Sequence, residues 1–189
     1  VSVVLKNRDT GSVLVIAPDE KDVDRIIQAL GENNLQALKL TAAMPREDRY
    51  RNYLDAMHSA NSIVVGTRSA IFSPISNLTT VIVHSESSSD HYEIRSPGWN
   101  TRTVALMRCK QESLKLVLTG FCPSIEVSEL IDKREVSYLN SKELVNIRAF
   151  TPNEGALLPG RIFADIKKAL TVGPVLFIAP RKGYGNALL

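Results

Sequence analysis

Long apolar runs are missing from this chain of 189 residues. None approaches the ~18 residues that a membrane-spanning helix needs, and the N-terminus carries no signal-peptide pattern. Cysteine is scarce. Cys109 and Cys122 show no CxxC spacing, so they make no zinc site by themselves and read as reduced thiols of a cytosolic protein. The chain also lacks a GxxxxGK(S/T) phosphate loop and a GxSxG nucleophile elbow. Charge of one sign is not in excess. A net charge of +3 and a pI near 8.9 permit a nucleic-acid partner, but no basic tail or stripe argues for one. What is present is ordinary for a globular protein: 44% hydrophobic and 23% charged residues, enough for one good-sized domain or one domain and part of another.

Strand-length apolar runs alternate with segments of helical period. Residues 12–17 (SVLVIA), 35–40, 62–65, 80–83 and 114–119 (LKLVLT) read as strands, short and rich in β-branched or aliphatic residues. Between them, Asp19 caps a helix with Val23, Ile26, Ile27 and Leu30 on one stripe. Pro45 opens a second helix, with Tyr50, Tyr53, Leu54 and Met57 in the same spacing. Residues 101–111 and 124–131 predict two more. This order predicts an α/β fold, a parallel sheet with helices on both faces. After Tyr138 the chain turns polar and reads as a linker with one weak strand candidate at 145–150. A helix over 161–170 and a strand over 174–179 then begin a second unit, too small to bury a core of its own.

Three strand-end turns offer chemistry. In "HSESSSDH", His84, Glu86, Asp90 and His91 are legitimate metal ligands, but their spacing matches no ligand pattern, and the stretch reads as a solvated loop. "GTRSAIF" places a glycine, two hydroxyls and Arg68 together, suited to phosphate oxygens, or forms only a tight turn with Thr67 as N-cap. In "LTGFCPS", Cys122 sits before a helix where its thiolate would be favoured, yet no histidine is placed beside it, and a structural thiol is the expectation. "RKGYGNALL" has two glycines at the wrong spacing for a phosphate loop and reads as a plain loop.

In order, these turns resemble the motor motifs of superfamily 2 helicases, and most specifically the primosomal replication-restart helicase family (primosomal protein N′, PriA). "GTRSAIFSPISNL" is similar to that family's segment almost position for position. "VLVIAPDE" resembles its motif Ia, "LTGFCPSIE" its motif III, and "VLFIAPRKGYGNALL" its motif IV strand and the turn after it. "HSES" then falls where the family has a Walker B motif, Asp-Glu-Glu-His. In an active motor the first carboxylate holds Mg2+ and the next orients the attacking water. Here His84 and Ser85 take those places, Glu86 falls on the following acid, and Ser87 on the last position. Histidine is a poor ligand for a hard cation, and serine cannot serve as a carboxylate. Motif III is altered as well, at Phe121-Cys122, in the coupling segment Thr119, Gly120, Cys122 and Pro123.

The resemblance implies a RecA-like first helicase lobe over 1–140, a linker over 141–159 and the beginning of a second lobe over 160–189. It points to the actinobacterial branch with degenerate ATPase motifs. It implies DNA contacts, independent of base sequence, at Pro18, Gly66, Thr67, Arg68 and Ser69. Expected partners are forked or single-stranded DNA, other primosome proteins and single-strand-binding protein, in the cytoplasm with the nucleoid and away from membranes. No catalytic residue and no cofactor is expected within these residues; ATP with Mg2+ and structural zinc are implied only outside them. The leading function is a helicase-like DNA-binding scaffold without ATPase activity. Its alternatives are an active ATP-dependent 3′–5′ DNA helicase, with Glu86 among its Mg2+ ligands, and an unrelated Rossmann-type small-molecule binder.

Overall fold

A computed structural model describes residues 1–139 and 160–177. The chain divides into two compact units, Val1–Tyr138 and Leu139–Leu189. In the first, a short helix α1 (Ser2–Asn7) precedes strand β1 (Ser12–Ile16), helix α2 (Glu20–Gly31), strand β2 (Leu38–Leu40), helix α3 (Arg46–His58) and strand β3 (Ile63–Gly66). Strand β4 (Leu78–Val83), a two-stranded ribbon of β5 (Tyr92–Glu93) and β6 (Trp99–Asn100), helix α4 (Thr101–Glu112), strand β7 (Lys115–Leu118) and helix α5 (Ile125–Asp132) complete it.

The five long strands form one parallel sheet in the order β2-β3-β1-β4-β7. This is the α/β, RecA-like arrangement that the alternating pattern predicts. Central strands bury both faces because residues of opposite parity feed two separate cores. Leu14, Ile16, Val64, Val81 and Val83 pack with Ala56 of α3 and Ala105 and Cys109 of α4. Val13, Val15, Val65 and Ile82 pack with Val4 of α1 and Val23 and Leu30 of α2. Asp19 caps α2 as expected, its carboxylate accepting the Asp22 N–H at 2.8 Å.

Two local expectations change. Strand β2 is shorter than the 35–40 run that suggests it, because only Leu38–Leu40 find partners on β3. The expected apolar stripe of α3 is only half covered: Tyr50 is 64% exposed and Tyr53 36%, Leu54 and Met57 are half-buried, and Ala56 is the residue the helix buries fully. The segment after β3 winds as a 3-10 turn over Arg68–Phe72.

In the second unit, helix α6 spans Gly160–Leu170. Residues 174–177 are not strand, unlike the expectation for 174–179; among the described residues none pairs with them in a ladder. The linker, the 145–150 strand candidate and the 181–189 turn lie outside the described residues. Among the described residues no helix is long and apolar enough to cross a membrane.

Candidate functional site

The candidate turns leave the carboxyl ends of parallel strands, where open α/β sheets gather their ligands. Main-chain hydrogen bonds join these ends into one rim. Ala17 N–H donates to Gly66 O at 2.9 Å, His84 N–H to Ile16 O at 2.8 Å, Thr119 N–H to Val83 O at 2.9 Å, and Glu86 N–H to Thr119 O at 2.9 Å. Pro18, the Gly66–Ser69 turn, the His84–Ser87 turn and the Thr119–Pro123 turn are therefore brought together.

The stretch from His84 to His91 is only in part a solvated loop: Ser87, Ser89 and Asp90 are exposed, but two of its side chains are not. Glu86 is 2% exposed and His91 fully buried. Burial is possible because each finds partners. Glu86 Oε1 accepts the Ser124 N–H at 2.6 Å; Oε2 accepts the Ser124 hydroxyl at 2.9 Å and the Arg102 Nη1–H at 2.9 Å. Arg102, itself 7% exposed, also reaches Glu126 Oε1 at 2.8 Å. This cluster binds the turn after β4 to the starts of α4 and α5. His91 Nε2 lies 2.8 Å from His84 O, and its other ring nitrogen has no partner among the described residues. Burial holds the His91 pKa below the ordinary imidazole value, against smaller opposing pulls from the His84 carbonyl and the acids Glu86 and Asp90.

The donor set at this turn does not fit a magnesium ion. Mg2+ wants oxygen ligands in a tight octahedron. His84 presents a ring whose Nδ1 is 3.2 Å from Thr119 Oγ1, Ser85 presents a hydroxyl, and both Glu86 oxygens are already held inside the protein. Among the described residues, no group of three or more histidine, cysteine, aspartate or glutamate side chains is placed to hold a metal ion.

In the Thr119–Pro123 turn, Thr119 faces His84 and Gly120 lies beside the Ser85–Glu86 backbone, where an added Cβ would be 3.9 Å from Glu86 N. Cys122 is exposed and free, Phe121 is wholly exposed, and Pro123 leads into Ser124, which caps α5. Cys109, by contrast, is in the core, where burial raises its pKa to about 11.

At the other end of the rim, Pro18 is buried. Gly66 is required by packing: a Cβ would overlap Leu40 O and lie 2.6 Å from Ala70 Cβ. Thr67 precedes the 3-10 turn without a side-chain capping bond, and neither its hydroxyl nor that of Ser69 has a partner among the described residues. Arg68 is engaged: Nη1–H donates to Asp90 O at 2.7 Å, and Nη2 lies 3.3 Å from Glu93 Oε2.

Arg102 and Ser124 were not singled out in the sequence, though both left a trace. A cation in the first turn of a helix opposes the macrodipole, and such a residue implies an acid nearby. Ser124 stands directly before an apolar helical run, where a cap belongs.

A parallel five-stranded sheet with its candidate turns along one carboxyl rim places the chain in the RecA-like α/β class. Its relatives narrow this further. The chain is 30% identical over 195 aligned residues to the probable replication restart protein PriA of Mycobacterium bovis and to that of Mycobacterium tuberculosis strain H37Rv, covering 92% of this chain and 29% of each relative. It is 25% identical over 136 residues to replication restart protein PriA of Bacillus subtilis, covering 71% of this chain and 17% of that protein. The chain belongs to the PriA replication restart protein family. It spans less than a third of the length of these curated relatives. No family model matches it.

Proposed function

We propose that this chain is the helicase-like, DNA-binding part of a replication restart protein, and that its ATP-facing rim no longer supports ATP hydrolysis. The observation that carries the second half is the Glu86 carboxylate, closed in by Arg102 and Ser124. It is the acid of the stretch that resembles a motor's metal-holding motif, and both its oxygens are bonded within the protein. His84 and Ser85 supply no carboxylate in its place. Loss of charge stabilisation and of water positioning removes terms that each supply several kcal/mol of barrier lowering in phosphoryl transfer.

The DNA-binding half is supported by the intact Gly66–Ser69 turn, whose Thr67 and Ser69 hydroxyls lack partners among the described residues and suit phosphate oxygens. Forked DNA, with its single-stranded arms, is the proposed ligand class, and primosome proteins are the proposed partners. The division into a first lobe over 1–140, a linker and the start of a second lobe belongs to the same proposal.

The test is ATP turnover by the full-length protein with forked DNA in excess. We expect phosphate release at the no-enzyme background while the DNA is bound. DNA-stimulated release on the order of 1–10 per second, an ordinary enzymatic rate, would overturn the non-catalytic reading.

A further inference from the structure

We infer that the cavity between α3 and the Ser69–Ser73 segment is a subsite for one unpaired nucleotide of a DNA single strand, its base against Tyr50 and Tyr53 and its phosphate on Arg46 and Arg49. The inference rests on the DNA-binding reading above and specifies where an unpaired base would sit.

The cavity encloses about 500 Å³, within the ordinary range of small-ligand sites. One stripe of α3 lines it. Arg46, Arg49, Tyr50 and Tyr53 fall at i, i+3, i+4 and i+7, so all four project from the same helix face. The acids of the first turn do not cancel this charge. Glu47 and Asp48 both pair with Arg51, outside the cavity lining, at 2.9 and 3.5 Å. Neither the Arg46 nor the Arg49 guanidinium has an acid or carbonyl partner among the described residues. Two unneutralised cations one turn apart suit an anion, and guanidinium forks suit phosphate in particular.

The opposite wall adds a second, independent sign of a ligand. Thr41, at the end of β2, is 1% exposed, lines the cavity, and its hydroxyl has no partner among the described residues. A buried hydroxyl left unpaired is costly, and a ligand donor or acceptor in the cavity would satisfy it. Ser69 contributes another unpartnered hydroxyl from the turn proposed to touch DNA, so a strand crossing that turn reaches the cavity directly.

The exposed tyrosine rings favour a base. Aromatic platforms beside a cationic groove are the usual means of holding single strands without base specificity, whereas bases within a duplex are already stacked and cannot enter. Arg108 keeps the wall in place, donating from Nη1 to Ile71 O at 2.5 Å and to Ser73 O at 3.1 Å.

The experiment measures affinity of the full-length protein for oligothymidylate and for blunt duplex of equal length, at several salt concentrations. Replacing Tyr50 and Tyr53 with alanine is expected to weaken oligothymidylate binding about 5- to 100-fold and leave duplex affinity unchanged. The double variant Tyr50→Phe/Tyr53→Phe, which keeps both rings, is expected to bind as the parent does. Replacing Arg46 and Arg49 with glutamine is expected to make the salt slope for oligothymidylate shallower by about 0.7, the share of the one phosphate that both hold. Unchanged oligothymidylate binding by the alanine variant would overturn the subsite while leaving DNA binding intact. If the unaltered protein bound neither nucleic acid, the DNA-binding reading itself would fall, a distinguishable result. Adenosine monophosphate competing as well as an oligonucleotide of the same total nucleotide concentration would assign the cavity to free nucleotides and overturn the strand assignment.

Discussion

Glu86 Oε2 and Arg102 Nη1 lie 2.9 Å apart, with side chains 3% and 8% exposed. Such a pair is held as a unit: its charges cost desolvation, and the Ser124 bonds satisfy what the arginine leaves open. Removing one partner strands the other. We expect Glu86→Ala to lower unfolding stability by about 3 kcal/mol, the low end for a broken buried pair, since Glu126 still reaches Arg102. Replacing both Glu86 and Arg102 with methionine should cost less than the sum of the single changes. Urea unfolding of the two single variants and the double variant measures that coupling.

His91 gives the same turn a pH dependence. Its pKa is lowered by burial, so the folded state prefers the neutral ring and the unfolded chain takes up the proton first on acidification. The stabilisation is complete above the unfolded value of about 6.5 and is lost as pH falls below it, by at most ~1.4 kcal/mol per pH unit. Glu86, Asp90 and the His84 ring face His91, but Glu86 is neutralised by Arg102 and the remaining pulls are smaller than desolvation. We expect His91→Gln, which keeps an N–H for the His84 carbonyl, to flatten the stability profile between pH 6.5 and 5 relative to the parent. Parallel profiles for the two proteins would contradict this.

The sheet was legible from residue order because each central strand is apolar on both faces, which only a helix-covered parallel sheet requires. Residues 12–17 and 80–83 needed no partner to be read as strands, and they fall on the observed Ser12–Ile16 and Leu78–Val83. The interior of the His84–His91 turn was not legible. Its composition is that of a surface loop, and burial depends on Arg102 and Ser124, 16 and 38 positions away from Glu86. The α3 stripe misled for a related reason: helical spacing of tyrosines marks a face but not what that face meets. In this protein Tyr50 and Tyr53 line a cavity rather than the core.

Gly66 belongs to the candidate DNA-binding turn, yet its packing gives it a separate structural duty. A methyl group there would overlap the Leu40 carbonyl and press on Ala70. Both neighbours are fixed in the sheet and the 3-10 turn, so overpacking of about 1–3 kcal/mol or more follows. Gly66→Ala should therefore lower the thermal midpoint before it alters DNA affinity per folded molecule, which a melt paired with an active-fraction titration will separate.

The two thiols differ in access. Cys122 is exposed, while Cys109 is buried and its pKa is raised to about 11. A disulfide-exchange reagent at pH 8 should label one thiol promptly and the second only on unfolding. Serine at position 122 should abolish the prompt phase, and prompt labelling of both thiols would show that the α4 packing opens readily.

Arg68 decides how the Gly66–Ser69 turn uses its charge. The family resemblance implies a guanidinium forked onto phosphate, but in the folded chain its nitrogens meet Asp90 O and Glu93. Glu93 is well suited to stay ionised beside it: the Arg95 N–H and, less strongly, the Arg68 charge hold its carboxyl below the ordinary range. The pair already balances, so a passing phosphate would gain little from Arg68 unless Glu93 were displaced. We therefore expect Arg68→Ala to loosen the contact between the turn and the β5 segment, lowering the thermal midpoint modestly, and to leave the salt slope of forked-DNA binding unchanged. Glu93→Gln should do the reverse, freeing one cation and steepening the slope by about 0.7 to 0.9. A slope that becomes shallower by one contact in Arg68→Ala would return the phosphate role to Arg68 and require that the Glu93 pair open when DNA binds.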